Sequence, residues 1–185
     1  ILCLFFILIS FVTEGNVGEG TTKSENYSLE HAFNLLLNID EAPRFQNRQN
    51  LKTNFDGLVS ELKLKQLKWN DNHRLLTKVF FQVNKENLKE YVPYQSFQEL
   101  FDTGTYGCLT GTALYAFLLD ELGFEYKIIE TNYHMFLLVQ SDGHQYLIES
   151  TDPINGFVYE EDDIEKRIEA AVEQNKLKDD RKEYS

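Results

Sequence analysis

The chain has 185 residues, the length of one compact domain with short extensions. Hydrophobic residues make up 42% and aromatic residues 14%, so the chain has enough apolar side chains for a core, and general disorder is excluded. Thirty acidic residues against 18 basic ones give a net charge of −12, which opposes binding to the phosphate backbone of nucleic acids. We therefore expect one folded domain with no nucleic-acid partner.

The first twelve residues form an apolar run without a charged side chain, and a polar stretch follows it. This pattern is typical of the core of an export signal, and the run is shorter than the ~20 apolar residues that span a membrane. Because no methionine or basic leader precedes the run, we expect further leader residues before it. We interpret residues 1–22 as a signal peptide with its linker, and the protein as exported to the periplasm or the cell exterior. If the segment stays uncleaved, it anchors the chain to the membrane.

Apolar spacing of 3.6 residues predicts helices through the first half of the domain, which we place at residues 28–175. Ser28 is a plausible cap for a first helix that ends before Pro43. A second helix contains Phe55 to Leu62 and a third contains Leu75 to Val83, whereas Tyr91 to Gln98 is interpreted as a connecting loop.

A central helix and three strands are predicted after this loop. Residues 109–122 are apolar nearly all round, which is typical of a buried helix, and Gly123 is a helix stop. The period then changes from 3.6 to 2 in the segments FEYKIIET, HMFLLVQ and HQYLIES, which predicts a small antiparallel sheet. The last segment is a charged amphipathic helix with a narrow stripe of apolar residues, followed by a charged tail at 176–185.

The Asp142-Gly143 turn between the last two strands places His134 near an acidic segment. A loop centred on Gly143 sets His134 opposite Asp152, and a two-residue Asp142-Gly143 loop sets it opposite Thr151. In either case a carboxylate of Asp152 lies near enough to orient the imidazole. Glu149 is the rival acid, but strand alternation places it on the opposite face if Asp152 pairs with His134.

Cys108 is the only cysteine that remains after removal of the leader, and it lies at the start of the central helix. Helix N-terminal amides and a nearby imidazolium lower the pKa of a thiol, so we expect a thiolate nucleophile at neutral pH. The same amides can stabilise an oxyanion. Four side chains are candidates for a second oxyanion donor: Gln82, Tyr94, Gln95 and Tyr106.

Three short motifs resemble the transglutaminase-like superfamily: Tyr106-Gly107-Cys108 opening a helix, His134-Met135-Phe136-Leu137 on a strand, and Glu149-Ser150-Thr151-Asp152-Pro153 after the next. The resemblance covers residues 88–158. It implies an α+β fold of the papain and transglutaminase type, with Cys108, His134 and Asp152 as catalytic triad. It also implies acyl transfer from a peptide or protein amide, by hydrolysis or cross-linking.

Two other functions stay open on sequence grounds. The domain could keep the fold as a non-catalytic binding or scaffold module, or Cys108 could be a buried structural residue. His31, His73 and His144 lack metal-binding spacing, so we expect no metal and no cofactor.

Overall fold

A computed structural model describes residues 45–131 and 134–182 of the chain. The predicted signal peptide, the helix before Pro43 and the last three residues lie outside the described residues. The described elements follow in this order: α1 Phe45–Trp69, α2 Asn72–Glu86, β1 Glu90–Tyr91, α3 Phe97–Asp102, β2 Thr105–Tyr106, α4 Cys108–Glu121, β3 Glu125–Glu130, β4 Met135–Ser141, β5 His144–Ile148, β6 Phe157–Val158 and α5 Glu161–Lys182.

Helices α1 and α2 form an antiparallel pair that buries the apolar faces predicted from the sequence. Leu51, Phe55, Val59 and Leu62 of α1 are all buried. Asn70 reverses the chain with a positive φ of 47°, and Asp71 then caps α2 by accepting a hydrogen bond from Arg74 N. The predicted helical first half is therefore confirmed as far as the structure describes it.

The predicted loop at Tyr91 to Gln98 is wrong at both ends. Strand β1 pairs in parallel with β2, which ends two residues before Cys108. Ser96 caps the six-residue helix α3 by accepting from Glu99 N. Strands of two residues and a helix of six are too short to show a period, so the sequence pattern does not reveal them.

Helix α4 is the centre of the molecule, and nearly all of its side chains from Thr110 to Leu119 are buried. Two hydrogen bonds join it to α2: the buried Tyr115 hydroxyl donates to Phe80 O and accepts from Asn84 Nδ2. Gly123 follows with a φ of 74°, as the predicted helix stop requires. The buried central helix is thus confirmed.

The sheet has four strands in the order β3-β4-β5-β6, and all neighbours are antiparallel. The predicted three strands are present, and the short β6 is added at the edge. Ser141 pairs with His144, so the hairpin loop is the two residues Asp142 and Gly143, both with positive φ. This loop selects the register in which the continued ladder sets His134 opposite Thr151.

Both faces of the sheet are covered. On one face Leu137, Val139 and Ile148 join the main core with α4, and on the other Phe136, Leu138 and Leu147 pack with α5. The apolar stripe of α5 consists of Ile164, Ile168 and Ala171. The architecture is mixed helix and sheet, in agreement with the α+β class expected from the sequence.

Candidate active site

Cys108 is the first residue of α4 and is partly exposed. Gly107 occupies the N-cap position and offers no side chain to the first turn. The first amides of a helix have no acceptor within the helix, so the N–H groups beside Cys108 point out of the helix start. The thiol therefore lies beside backbone N–H groups that can donate to a ligand.

The Cys108 thiol is tied to the strand that follows His134. Its Sγ is 3.8 Å from Met135 O, and Thr112 Oγ1 donates to the same carbonyl at 3.4 Å. Met135 is the first residue of β4 and the direct neighbour of His134. Helix α4 thus places its nucleophile-bearing end at the start of β4.

The expected lowering of the Cys108 pKa is wrong for the resting protein. Burial raises the pKa of the thiol, and the negative charges of Glu149 and Glu130 raise it further. The sequence argument included the helix dipole and an imidazolium, but it had no information on burial or on these two carboxylates. The resting thiol is therefore neutral, and its reaction needs a base to take the proton.

His134 lies just before β4, where its backbone is held by Thr131. His134 N donates to Thr131 Oγ1 at 2.8 Å, and Thr131 N donates to His134 O at 2.8 Å. These bonds join the end of β3 to the start of β4 and fix the backbone that carries the imidazole.

The carboxylate at the His134 ring belongs to Glu149. Its Oε1 is 3.1 Å from Nδ1 of His134, and the Glu149 side chain is only 9% exposed. Because an ionised carboxylate only accepts hydrogen bonds, Nδ1 must carry the proton of the neutral ring. Nε2 is then the basic nitrogen of His134.

Asp152, the predicted triad acid, contacts Arg167 instead. Its Oδ2 accepts from the Arg167 guanidinium at 2.9 Å, while Oδ1 accepts from Ile154 N and Asn155 N. Burial opposes ionisation of Asp152, but these hydrogen bonds outweigh it and hold the pKa of the carboxyl below its ordinary value. The structure therefore corrects the predicted pairing of Asp152 with His134.

A register difference of one residue explains this correction. In the observed hairpin Leu137 lies opposite Ile148, so continuing the ladder sets His134 opposite Thr151. Strand β5 ends at Ile148 and Glu149 follows it directly, so the Glu149 carboxylate reaches the His134 ring while Asp152 lies beyond it in the turn. The rejection of Glu149 assumed the longer loop, whereas the structure has the two-residue loop Asp142-Gly143.

Some of the other residues singled out in the sequence lie beside the site, and others lie away from it. Tyr106 donates its hydroxyl to Ser150 O. The buried Gln82 donates to Glu61 of α1 and to Glu86 of α2, and Tyr94 is fully exposed. The backbone of Tyr94 and Gln95 packs on Gly107, close to the start of α4. His73 packs against Tyr159 at a ring separation of 4.7 Å.

No protein-family model, curated protein or solved structure matches this chain. Within residues 45–131 and 134–182, no group of three or more His, Cys, Asp and Glu side chains is arranged to hold a metal ion. The helices of the same residues include none with the length and apolar character needed to cross a membrane. The case for a function therefore depends on the geometry around Cys108.

Proposed function

We propose that the chain is an exported cysteine acyl-transfer enzyme with a papain- or transglutaminase-like core. Cys108 is the nucleophile, His134 the general base and Glu149 the residue that orients the base. The observation that carries the proposal is the 3.1 Å contact between Glu149 Oε1 and His134 Nδ1. His134 directly precedes Met135, whose carbonyl contacts the Cys108 thiol. The order of cysteine helix, histidine strand and acidic segment supports the same family of folds.

The chemistry follows from the protonation states. Nε2 of His134 takes the proton from Cys108 as Sγ bonds to the carbonyl carbon of an amide or thioester. The N–H groups at the start of α4 stabilise the resulting oxyanion. Collapse of the tetrahedral intermediate breaks the bond to the leaving group, which receives the proton from His134, and an acyl-thioester remains on Cys108. Water or an amine then attacks this thioester, gives its proton to His134, and releases the acyl group as Sγ regains a proton.

Glu149 performs the part that the sequence assigned to Asp152. It keeps the proton on Nδ1, so the lone pair of the neutral ring is on Nε2, and it stabilises the imidazolium that forms during attack. Its negative charge also raises the pKa of Cys108, so the thiol depends on a base for its attack. The site therefore works through base-assisted attack and not through a stored thiolate.

A non-catalytic binding module is the second candidate, and the raised pKa of Cys108 is the observation that favours it. In that case the thiol is one wall of a binding surface and the pair of His134 and Glu149 is structural. This module and the enzyme differ in whether Cys108 accepts an acyl group.

Acylation by p-nitrophenyl acetate separates the two candidates. We expect release of p-nitrophenol with one acetyl group on Cys108, located by peptide mapping of the full chain. Cys108→Ala should abolish the adduct, and Glu149→Gln should slow its formation by ~10²-fold or more, the range found for triad acids. Asp152→Asn is the matched control, and we expect a smaller effect. Acylation that is absent, or equally fast in folded His134→Ala, would support the binding module.

A further inference from the structure

Arg167 links the candidate site to the last helix. Its guanidinium donates from Nη1 to Glu149 Oε2 at 3.2 Å, and from Nη2 to Asp152 Oδ2 and Asn155 O, each at 2.9 Å. One planar cation thus joins both acidic residues and the turn between them. Sequence patterns assigned no role to this residue, which is one of many charged residues on an amphipathic helix.

The two oxygens of Glu149 have different partners. Oε1 accepts from Thr151 Oγ1 at 3.1 Å and faces Nδ1 of His134, whereas Oε2 accepts from Arg167. A carboxylate is planar, so a donor fixed on one oxygen restricts the direction of the other. The guanidinium and the Thr151 hydroxyl therefore together set the direction in which Oε1 meets the imidazole.

The position of Arg167 is set by packing of α5 on the sheet. Ile164 and Ala171 are buried and Ile168 is partly buried against Phe136, Leu138 and Leu147. Arg167 lies one turn after Ile164, and only 34% of its side chain is exposed. A helix anchored in this way holds the guanidinium at the end of the sheet where Glu149 leaves β5.

We propose that Arg167 is a positioning residue, which acts through Glu149 to keep His134 in the Nδ1-protonated form. The proposal rests on the function proposed above. The buried Glu149 charge requires a partner, and Arg167 supplies it as a charge-assisted hydrogen bond. Helix α5 is then a functional part of the site as well as a cover for the sheet.

The neighbouring Lys166 provides a matched control on the same helix. Its ammonium pairs with Asp163 at 2.8 Å, and 71% of its side chain is exposed. Lys166→Met and Arg167→Met remove the same charge and leave the same side chain, but only Arg167→Met removes a partner of Glu149. Arg167→Lys retains the charge without the planar fork that bridges two carboxylates.

The test uses the full chain with ¹⁵N-labelled histidine and two readouts. The ¹⁵N shifts of His134, assigned by their loss in His134→Gln, report the tautomer, and acetylation of Cys108 by p-nitrophenyl acetate reports the attack. In Arg167→Met we expect a mixture of tautomers and roughly 10-fold slower acylation, the effect of one lost charge-assisted hydrogen bond. Lys166→Met should have the His134 tautomer and the acylation rate of the unsubstituted protein. Arg167→Lys should recover part of the native tautomer population and part of the acylation rate.

The outcomes separate this proposal from the proposed function. A native tautomer and native acylation rate in folded Arg167→Met would overturn the positioning role. If Arg167→Met does not fold, the folded Arg167→Lys variant decides: unchanged signals overturn the role, and a shifted tautomer supports it. If the unsubstituted protein does not acylate Cys108, the proposed enzyme fails, while a tautomer that changes in Arg167→Met and not in Lys166→Met still supports positioning.

Discussion

Gly111 lies where the cysteine helix closely approaches the acidic segment, and Gly111→Ala tests whether that approach holds the site together. A Cβ at Gly111 would lie 2.8 Å from both Cβ and Oγ of Ser150 and 3.0 Å from Cδ2 of Tyr106. Ser150 is 1% exposed and directly follows Glu149, so it has no room to turn outward. Alanine must therefore push α4 away from the segment that carries Glu149.

The magnitude combines two opposing effects. Overpacking a well-packed core costs about 1–3 kcal/mol. Replacing glycine by alanine within a helix stabilises it by about 1 kcal/mol. We expect a net loss of up to about 2 kcal/mol in the free energy of unfolding. Acylation of Cys108 should also be slower, because Glu149 shifts together with Ser150.

A double-mutant cycle identifies the contact responsible. Ser150→Gly removes the Cβ and Oγ that a new Cβ would meet, so Gly111→Ala combined with Ser150→Gly should regain about 1 kcal/mol or more relative to additivity. The Ser150 hydroxyl is buried without a hydrogen-bond partner among the described residues, so its removal breaks no bond there. Ser150→Ala retains the Cβ and should give a smaller coupling.

The assay is urea denaturation followed by circular dichroism, with Gly57→Ala as the control. A Cβ at the exposed Gly57 of α1 meets no atom within 4 Å, so Gly57→Ala should stabilise the protein by about 1 kcal/mol. If Gly111→Ala stabilises the protein as much as Gly57→Ala does, the close approach of α4 to Ser150 is refuted.

Three further predictions concern the turn, the acid and the thiol. A Cβ at Gly156 would overlap the carbonyl oxygens of Glu149 and Asp152, so Gly156→Ala should lower the free energy of unfolding by about 2 kcal/mol or more, and unchanged urea stability would contradict this. The lowered pKa of Asp152 contributes to the free energy of unfolding above the ~3.9 of an unfolded aspartate, and this contribution is lost as pH falls through the folded value. Between pH 5 and pH 3 the free energy of unfolding should therefore fall further in the unsubstituted protein than in Asp152→Asn, and equal decreases would refute this prediction. Iodoacetamide labelling of Cys108 should have its midpoint above the ~8.5 of a free thiol, and Glu130→Gln should lower that midpoint while Glu125→Gln, at the other end of β3, should not.

The sequence by itself determined the elements that depend on local chemistry. The apolar run at 109–122, the stop at Gly123 and the Asp-Gly turn predict α4 and the hairpin, because helix periodicity, positive φ and strand alternation are properties of neighbouring residues. The same patterns single out Cys108 and His134, which the structure brings to the start of α4 and the start of β4. The short elements β1, α3 and β2 contain too few residues to show such a pattern.

Only the tertiary structure decided which acid meets the base and how the thiol titrates. The choice between Glu149 and Asp152 depends on a register shift of one residue, which moves every side chain of a strand to the other face. The Cys108 pKa depends on burial and on two carboxylates that are distant in sequence, and the role of Arg167 depends on how α5 packs on the sheet. Burial and long-range charge are set by contacts between elements, so local sequence patterns do not determine them.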